Sequence, residues 1–91
     1  MEEFRMKKSV VIIDPSGLHI RPASIVAKAA GQYKSKIEMI YKSKRANLKS
    51  ILSVMTLGVK SGETVEIEAS GDDAEAALEG IVASLKQNNL I

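Results

Sequence analysis

Apolar and polar positions along the 91-residue chain follow two different periods, and the switches between them outline its elements. After a loose end at residues 1–5, the run Met6-Lys7-Lys8-Ser9-Val10-Val11-Ile12-Ile13 closes on β-branched residues and predicts a strand over 6–13. Residues 14–19 form a turn and loop. Helical spacing then begins: Pro22, Ile25, Val26 and Ala29 share one stripe of a helix over 20–30. Ser24 and Lys28 fall off that stripe, Ala23, Ala27 and Ala30 allow close packing, and Gly31 is a suitable C′ residue to close the helix. Period two returns over 36–41, with Ile37, Met39 and Tyr41 on one face. Lys42-Ser43-Lys44 is a polar turn into a short third strand over 45–48. A second helix runs over 50–57, with Ser50 as N-cap and Gly58 as its stop. Residues 63–69 alternate, with Val65, Ile67 and Ala69 inward and Glu66 and Glu68 outward. Ser70-Gly71-Asp72-Asp73 turns and caps a third helix, whose stripe is Ala74, Ala77, Leu78, Ile81, Val82 and Leu85, and Asn88-Asn89 frays its end. The order β-α-β-β-α-β-α, with strands polar on one face only, predicts an α+β fold. It is a two-layer open-faced sandwich, a four-stranded antiparallel sheet with three helices on one face. Without repeat or linker, residues 1–91 read as one domain.

The second helix carries more apolar residues than its burial uses. Ile51, Leu52, Val54, Met55 and Leu57 cover most of its circumference, while a two-turn helix on a sheet buries one side. The remainder predicts either an apolar patch for a partner or cover by an adjoining helix. Arg21, Lys28, Arg45 and Lys49 surround this region in sequence and, together with the apolar patch, suggest partners with acidic rims, although for the charges alone a solvated face is the better explanation.

Composition narrows the function. The absence of cysteine excludes disulfides and thiolate metal sites, and one histidine without a carboxylate pair beside it argues against zinc, so no metal and no cofactor are expected. No apolar run approaches the ~20 residues of a membrane span. The start, Met1-Glu2-Glu3-Phe4-Arg5, is unlike a signal peptide, so a cytoplasmic protein without membrane insertion is expected. A net charge of +2 and three aromatic residues (Phe4, Tyr33 and Tyr41) are too little for a nucleic-acid surface, and no nucleic-acid partner is expected.

The candidate chemistry lies in Gly17-Leu18-His19-Ile20-Arg21-Pro22-Ala23-Ser24, which holds the only histidine. Asp14-Pro15-Ser16-Gly17 turns the chain into it, and Pro22 fits the first turn of a helix, where a missing N–H costs nothing. His19 is therefore placed at a helix start, beside unpaired N–H groups and the positive end of the helix dipole. An anion is stabilised there, and Arg21 adds donors that match phosphate oxygens.

Two segments together resemble the HPr family, the histidine-containing phosphocarriers of the bacterial phosphoenolpyruvate sugar phosphotransferase system. Gly17-Leu18-His19-Ile20-Arg21-Pro22-Ala23 resembles its active-site signature, and the segment from Asn47 to Val59 resembles its regulatory serine region. Their spacing and the element order match from end to end. The resemblance implies that His19 accepts a phosphoryl group on Nδ1 from phosphorylated enzyme I and passes it to the A domain of an enzyme II (enzyme IIA). The N–H groups of Ile20 and Arg21 would hold the phosphoryl oxygens, and the Arg21 guanidinium would aid transfer. The carrier would be a covalent intermediate rather than an enzyme. It further implies Ser50 as a site for HPr kinase/phosphorylase, with the catabolite control protein as a partner of the phosphoserine form. Ile20, Ser24, Leu48, Ile51, Leu52 and Met55 are the expected docking residues, on a monomer. The chain departs from the family at Ile20, where alanine is usual, and at Ser53, where glycine is common. Those departures also fit a regulatory paralogue, a binding module switched at Ser50 with His19 idle.

Overall fold

The computed structural model describes residues 5–91. Residues 1–4 of the expected loose end lie outside the described residues, and Arg5 already belongs to the first strand. The elements are β1 (Arg5–Val11), α1 (Ile20–Ala30), β2 (Lys36–Tyr41), β3 (Lys44–Asn47), α2 (Ile51–Thr56), β4 (Thr64–Ser70) and α3 (Ala74–Gln87). The sheet order is β1-β4-β2-β3, with every pairing antiparallel. The three helices cover one face, as the half-polar strands predict. Val65, Ile67 and Ala69 of β4 meet Ile37 and Met39 of β2 beneath them in a continuous core.

β4 lies between β1 and β2, so β1 and β2 run parallel and α1 makes the crossover between them. This puts the C-terminal end of β1 and the N-terminal end of α1 at the same pole of the sheet. β1 stops at Val11 rather than Ile13, because the Ile13 N–H leaves the ladder for the Leu90 carbonyl at 2.8 Å. The α1 stripe is displaced from the expected one. Pro22, Ala23, Val26, Ala27 and Ala30 are buried, while Ile25 and Ala29 are only half-buried at its margin. The alanines let the helix sit close to its neighbours, and that moves the buried arc onto them. Gly31 closes α1 in an ordinary right-handed conformation (φ −64°), and the end is tightened by Gln32 and Tyr33 bonding back to Ala29 and Ala30. Gly58, by contrast, ends α2 with φ +72°, the left-handed geometry of a C′ glycine.

Two expectations at α3 are overturned. Asp73 occupies the N-cap position but makes no side-chain cap. Its carboxylate accepts the N–H groups of Lys34 and Ser35 at 2.8 and 2.9 Å, together with the Ser35 hydroxyl. Asn88-Asn89 does not fray the far end. Asn89 takes a left-handed turn (φ 57°), the Leu90 N–H reaches the Leu85 carbonyl at 2.9 Å, and Leu90 is fully buried. A large apolar residue three places past the helix is enough to draw the chain back onto the core.

Candidate functional site

The loop from Asp14 to His19 is pinned at both ends. The Ile13 N–H donates to Leu90, and the Leu18 N–H donates to the Val59 carbonyl at 3.1 Å. Between them, the Gly17 N–H closes a β-turn on the Asp14 carbonyl at 2.9 Å, and the Ser16 N–H donates to Asp14 Oδ1 at 2.9 Å. Gly17 has φ +68° and lies so close to Val59 that a Cβ would collide with its carbonyl oxygen. Leu18 is buried and anchors the loop, and the next residue emerges at the surface.

That residue is His19, the N-cap of α1, with extended backbone (φ −86°, ψ −166°). Its carbonyl accepts the Ala23 N–H at 3.0 Å, while its side chain makes no capping bond. The imidazole is 42% exposed. Among the described residues, the N–H groups of Ile20 and Arg21 have no partner within the protein, and Pro22 has no N–H to offer. Two free amide donors and a helix dipole therefore lie beside a reachable ring, which is the arrangement expected from sequence. Ser24 is turned inward locally, its hydroxyl donating to the Ile20 carbonyl at 2.7 Å.

The four basic residues that surround the second helix in sequence do not gather into one patch. Arg21 shares the Asp14 carboxylate with His19, its Nη1 lying 3.8 Å from Asp14 Oδ2. Arg45 pairs with Glu38 at 3.1 Å and Glu68 at 3.0 Å, glutamates on the sheet face away from the helices. That contact holds the Glu68 carboxyl below the usual carboxylate range. Lys49 Nζ donates to the Tyr33 carbonyl at 2.7 Å, at the far end of α1, and Lys28 lies in the last turn of that helix. The sequence marks Asp14 only as a turn residue. Its Oδ1 lies 3.9 Å from His19 Nε2, making it the one carboxylate at the ring among the described residues. An Asx residue opening a tight turn ahead of the histidine was the available signal, but its electrostatic reach depends on how the loop curls.

α2 runs back toward this pole, since its C-terminal side leads through Val59 to the Leu18 contact while Lys49, before it, reaches Tyr33. Ser50 caps the helix, its Oγ accepting the Ser53 N–H at 3.2 Å. The apolar surplus divides as follows. Val54 and Leu57 are buried and Met55 is half-buried, while Ile51 and Leu52 are exposed, Leu52 to 72%. Ile20, 62% exposed, adds to the same class of uncovered apolar side chains. Leu48 is fully buried, so it serves the core rather than a docking surface.

Comparison with known proteins converges on one family. Residues 6–87 match the PTS-HPr family, described as the PTS HPr component phosphorylation site. The chain is 42% identical over 85 residues to the phosphocarrier protein HPr of Mycoplasma capricolum, covering 93% of this chain and 96% of that protein. It is 43% identical over 88 residues to the phosphocarrier protein HPr of Mycoplasma pneumoniae, covering 94% and 100%. Among solved structures it resembles a mycoplasma histidine-containing phosphocarrier protein, with a TM-score of 0.91 at 42% identity over 94% of this chain and 98% of that one.

Proposed function

The chain belongs to the HPr family, the phosphocarrier proteins of the phosphotransferase system, and from that premise we propose that His19 is its phosphoryl-carrying residue. The observation that carries this reading is the exposed His19 ring beside the free N–H groups of Ile20 and Arg21. Nδ1 attacks the phosphorus of phosphorylated enzyme I. The amides of Ile20 and Arg21 and the Arg21 guanidinium then take up the negative charge of the three phosphoryl oxygens. Hydrogen bonds of this kind hold the group without adding a second covalent bond, so an enzyme IIA domain removes it by attack at the same phosphorus. The protein is a covalent intermediate in a relay, working as a cytoplasmic monomer. Ile20, Ile51, Leu52 and Met55 form the apolar part of the docking face, and Ser24 flanks it.

The test is incubation with phosphoenolpyruvate and enzyme I. Acid-labile phosphate is expected on the wild type and is absent from His19→Ala. Label retained by His19→Ala assigns the carrier role elsewhere.

A second reading concerns Ser50, supported by its place at the start of α2 beside exposed Ile51 and Leu52. Phosphorylation by HPr kinase/phosphorylase would add a charge of about −2 there. A helix start tolerates that charge, but an acidic partner groove does not, and the modified face instead suits the catabolite control protein. Ser50→Asp is expected to slow phosphoryl uptake from enzyme I while leaving His19 chemically competent.

A further inference from the structure

We infer that Asp14 is a positioning residue for phosphoryl uptake: its carboxylate turns Nε2 of His19 toward itself and parks the Arg21 guanidinium beside the ring. This rests on His19 being the carrier. The carboxylate is the fixed member of the three. Asp14 is 15% exposed, against 42% for His19 and 60% for Arg21. Its Oδ1 accepts the Ser16 N–H at 2.9 Å, its carbonyl accepts the Gly17 N–H, and the preceding Ile13 N–H is tied to Leu90. From this base Oδ1 faces His19 Nε2 at 3.9 Å and Oδ2 faces Arg21 Nη1 at 3.8 Å. Both separations are ion-pair distances and exceed a hydrogen bond, so neither partner is latched.

The consequence is chemical. A neutral imidazole has one N–H, and a carboxylate beside Nε2 favours the proton there, leaving the lone pair on Nδ1. When Nδ1 attacks, its lone pair forms the new N–P bond, and the electron pair of the bond that held phosphorus to the donor leaves with the donor. No proton leaves the ring. His19 becomes a cation carrying phosphorus at Nδ1 and hydrogen at Nε2, and Asp14 lies beside that N–H. Arg21, held only loosely, is free to swing from Oδ2 to the arriving phosphoryl oxygens. Asp14 thus serves both sides of the transfer, through His19 and through Arg21, without touching the phosphoryl group.

Asp14→Asn tests this, because it keeps an oxygen for the Ser16 N–H and removes the charge. Asp14→Ser keeps a smaller oxygen and separates loss of charge from hydrogen bonding by the new amide. Two readouts are needed: the ¹⁵N resonances of the His19 ring, and the rate of phosphorylation by phosphoramidate, a small donor that requires no docking. The wild type is expected to hold the Nε2–H form. Both variants are expected to admit the Nδ1–H form and to react more slowly by roughly fivefold, the reach of an exposed charge pair. With enzyme I as donor, kcat is expected to fall while KM holds. Folded variants with the wild-type nitrogen pattern, or with the wild-type phosphoramidate rate, overturn the inference. A wild-type protein that accepts phosphate from neither donor overturns the carrier reading instead.

Discussion

At the scale of single residues the site depends on how closely Gly17 approaches Val59. A side chain at Gly17 meets two obstacles, a left-handed φ of +68° and the Val59 carbonyl. Gly58 meets only the first, since its φ is +72° but nothing lies within 4 Å of a Cβ there. Comparing the two alanine variants separates backbone strain from collision. Gly58→Ala is expected to cost about 1–2 kcal/mol, the penalty for an L-residue in left-handed space. Gly17→Ala is expected to cost about 2–5 kcal/mol, because overpacking adds to the strain. Urea unfolding of both checks this, and equal losses would mean that the contact with Val59 yields freely. The chemical groups of the site were legible at this scale because they are local. His19, Ile20, Arg21 and Pro22 are consecutive, and a proline in a first turn identifies the helix start by itself. The part played by Asp14 was hidden, since five positions of sequence separation say nothing about which ring nitrogen its carboxylate faces.

At the scale of elements, α2 is the most exposed to a single change. It is six residues long and depends on its cap, the Ser50 Oγ that accepts the Ser53 N–H. Ser50→Ala is expected to destabilise the protein by about 1 kcal/mol, and Ser50→Asp by less, because aspartate caps nearly as well. Chemical denaturation of both variants, set beside their phosphoryl-uptake rates, separates capping from regulation. A slow but stable Ser50→Asp protein indicates charge at the docking face, and a slow, unstable one indicates a frayed helix. α3 was legible because burial selects the same side that its pattern marks, whereas in α1 the buried arc is shifted onto the alanines. All six stripe residues of α3 are buried. What escaped the sequence lies where distant segments compete for a group. Asp73 was a natural cap until the α1–β2 loop, 38 and 39 positions away, supplied three donors in a better geometry. Arg45 sits in a short strand whose cross-sheet glutamates hold it on the open face of the sheet. Local spacing has no term for either.

On the scale of the whole molecule, three carboxylates tie separate regions together, and acid should release them together. Glu63 accepts the Tyr41 hydroxyl at 2.5 Å and the Lys60 N–H at 2.8 Å and pairs with Lys42 at 3.4 Å, which joins β2 to the loop beyond Val59. The Tyr41 hydroxyl does most to hold the Glu63 carboxyl below its ordinary value. The Ser35 hydroxyl does the same for Asp73 at the opposite pole, and the Arg45 guanidinium for Glu68 on the open face of the sheet. In each case the folded protein holds its proton less tightly than the unfolded chain. As pH falls, the unfolded chain takes up protons first, and the equilibrium moves toward it. The stabilisation is therefore complete above the ordinary carboxylate values, near 4.5 for the glutamates and 3.8 for Asp73, and is lost as pH falls through the depressed folded values. Lys42 works in the opposite sense. Its pKa is raised above 10.5, chiefly by its contact with Tyr41, so its contribution is present below that value and disappears as pH climbs through the folded one. Thermal midpoints measured across the acid range are expected to fall steeply below about pH 4.5 in the wild type. Glu63→Gln keeps a carbonyl oxygen for Tyr41 but has no charge to lose. It should start from a lower midpoint at neutral pH and decline along a shallower acid limb, still carried by Glu68 and Asp73. An acid limb superimposable on that of the wild type would exclude Glu63 from acid unfolding and leave the loss to the other two carboxylates.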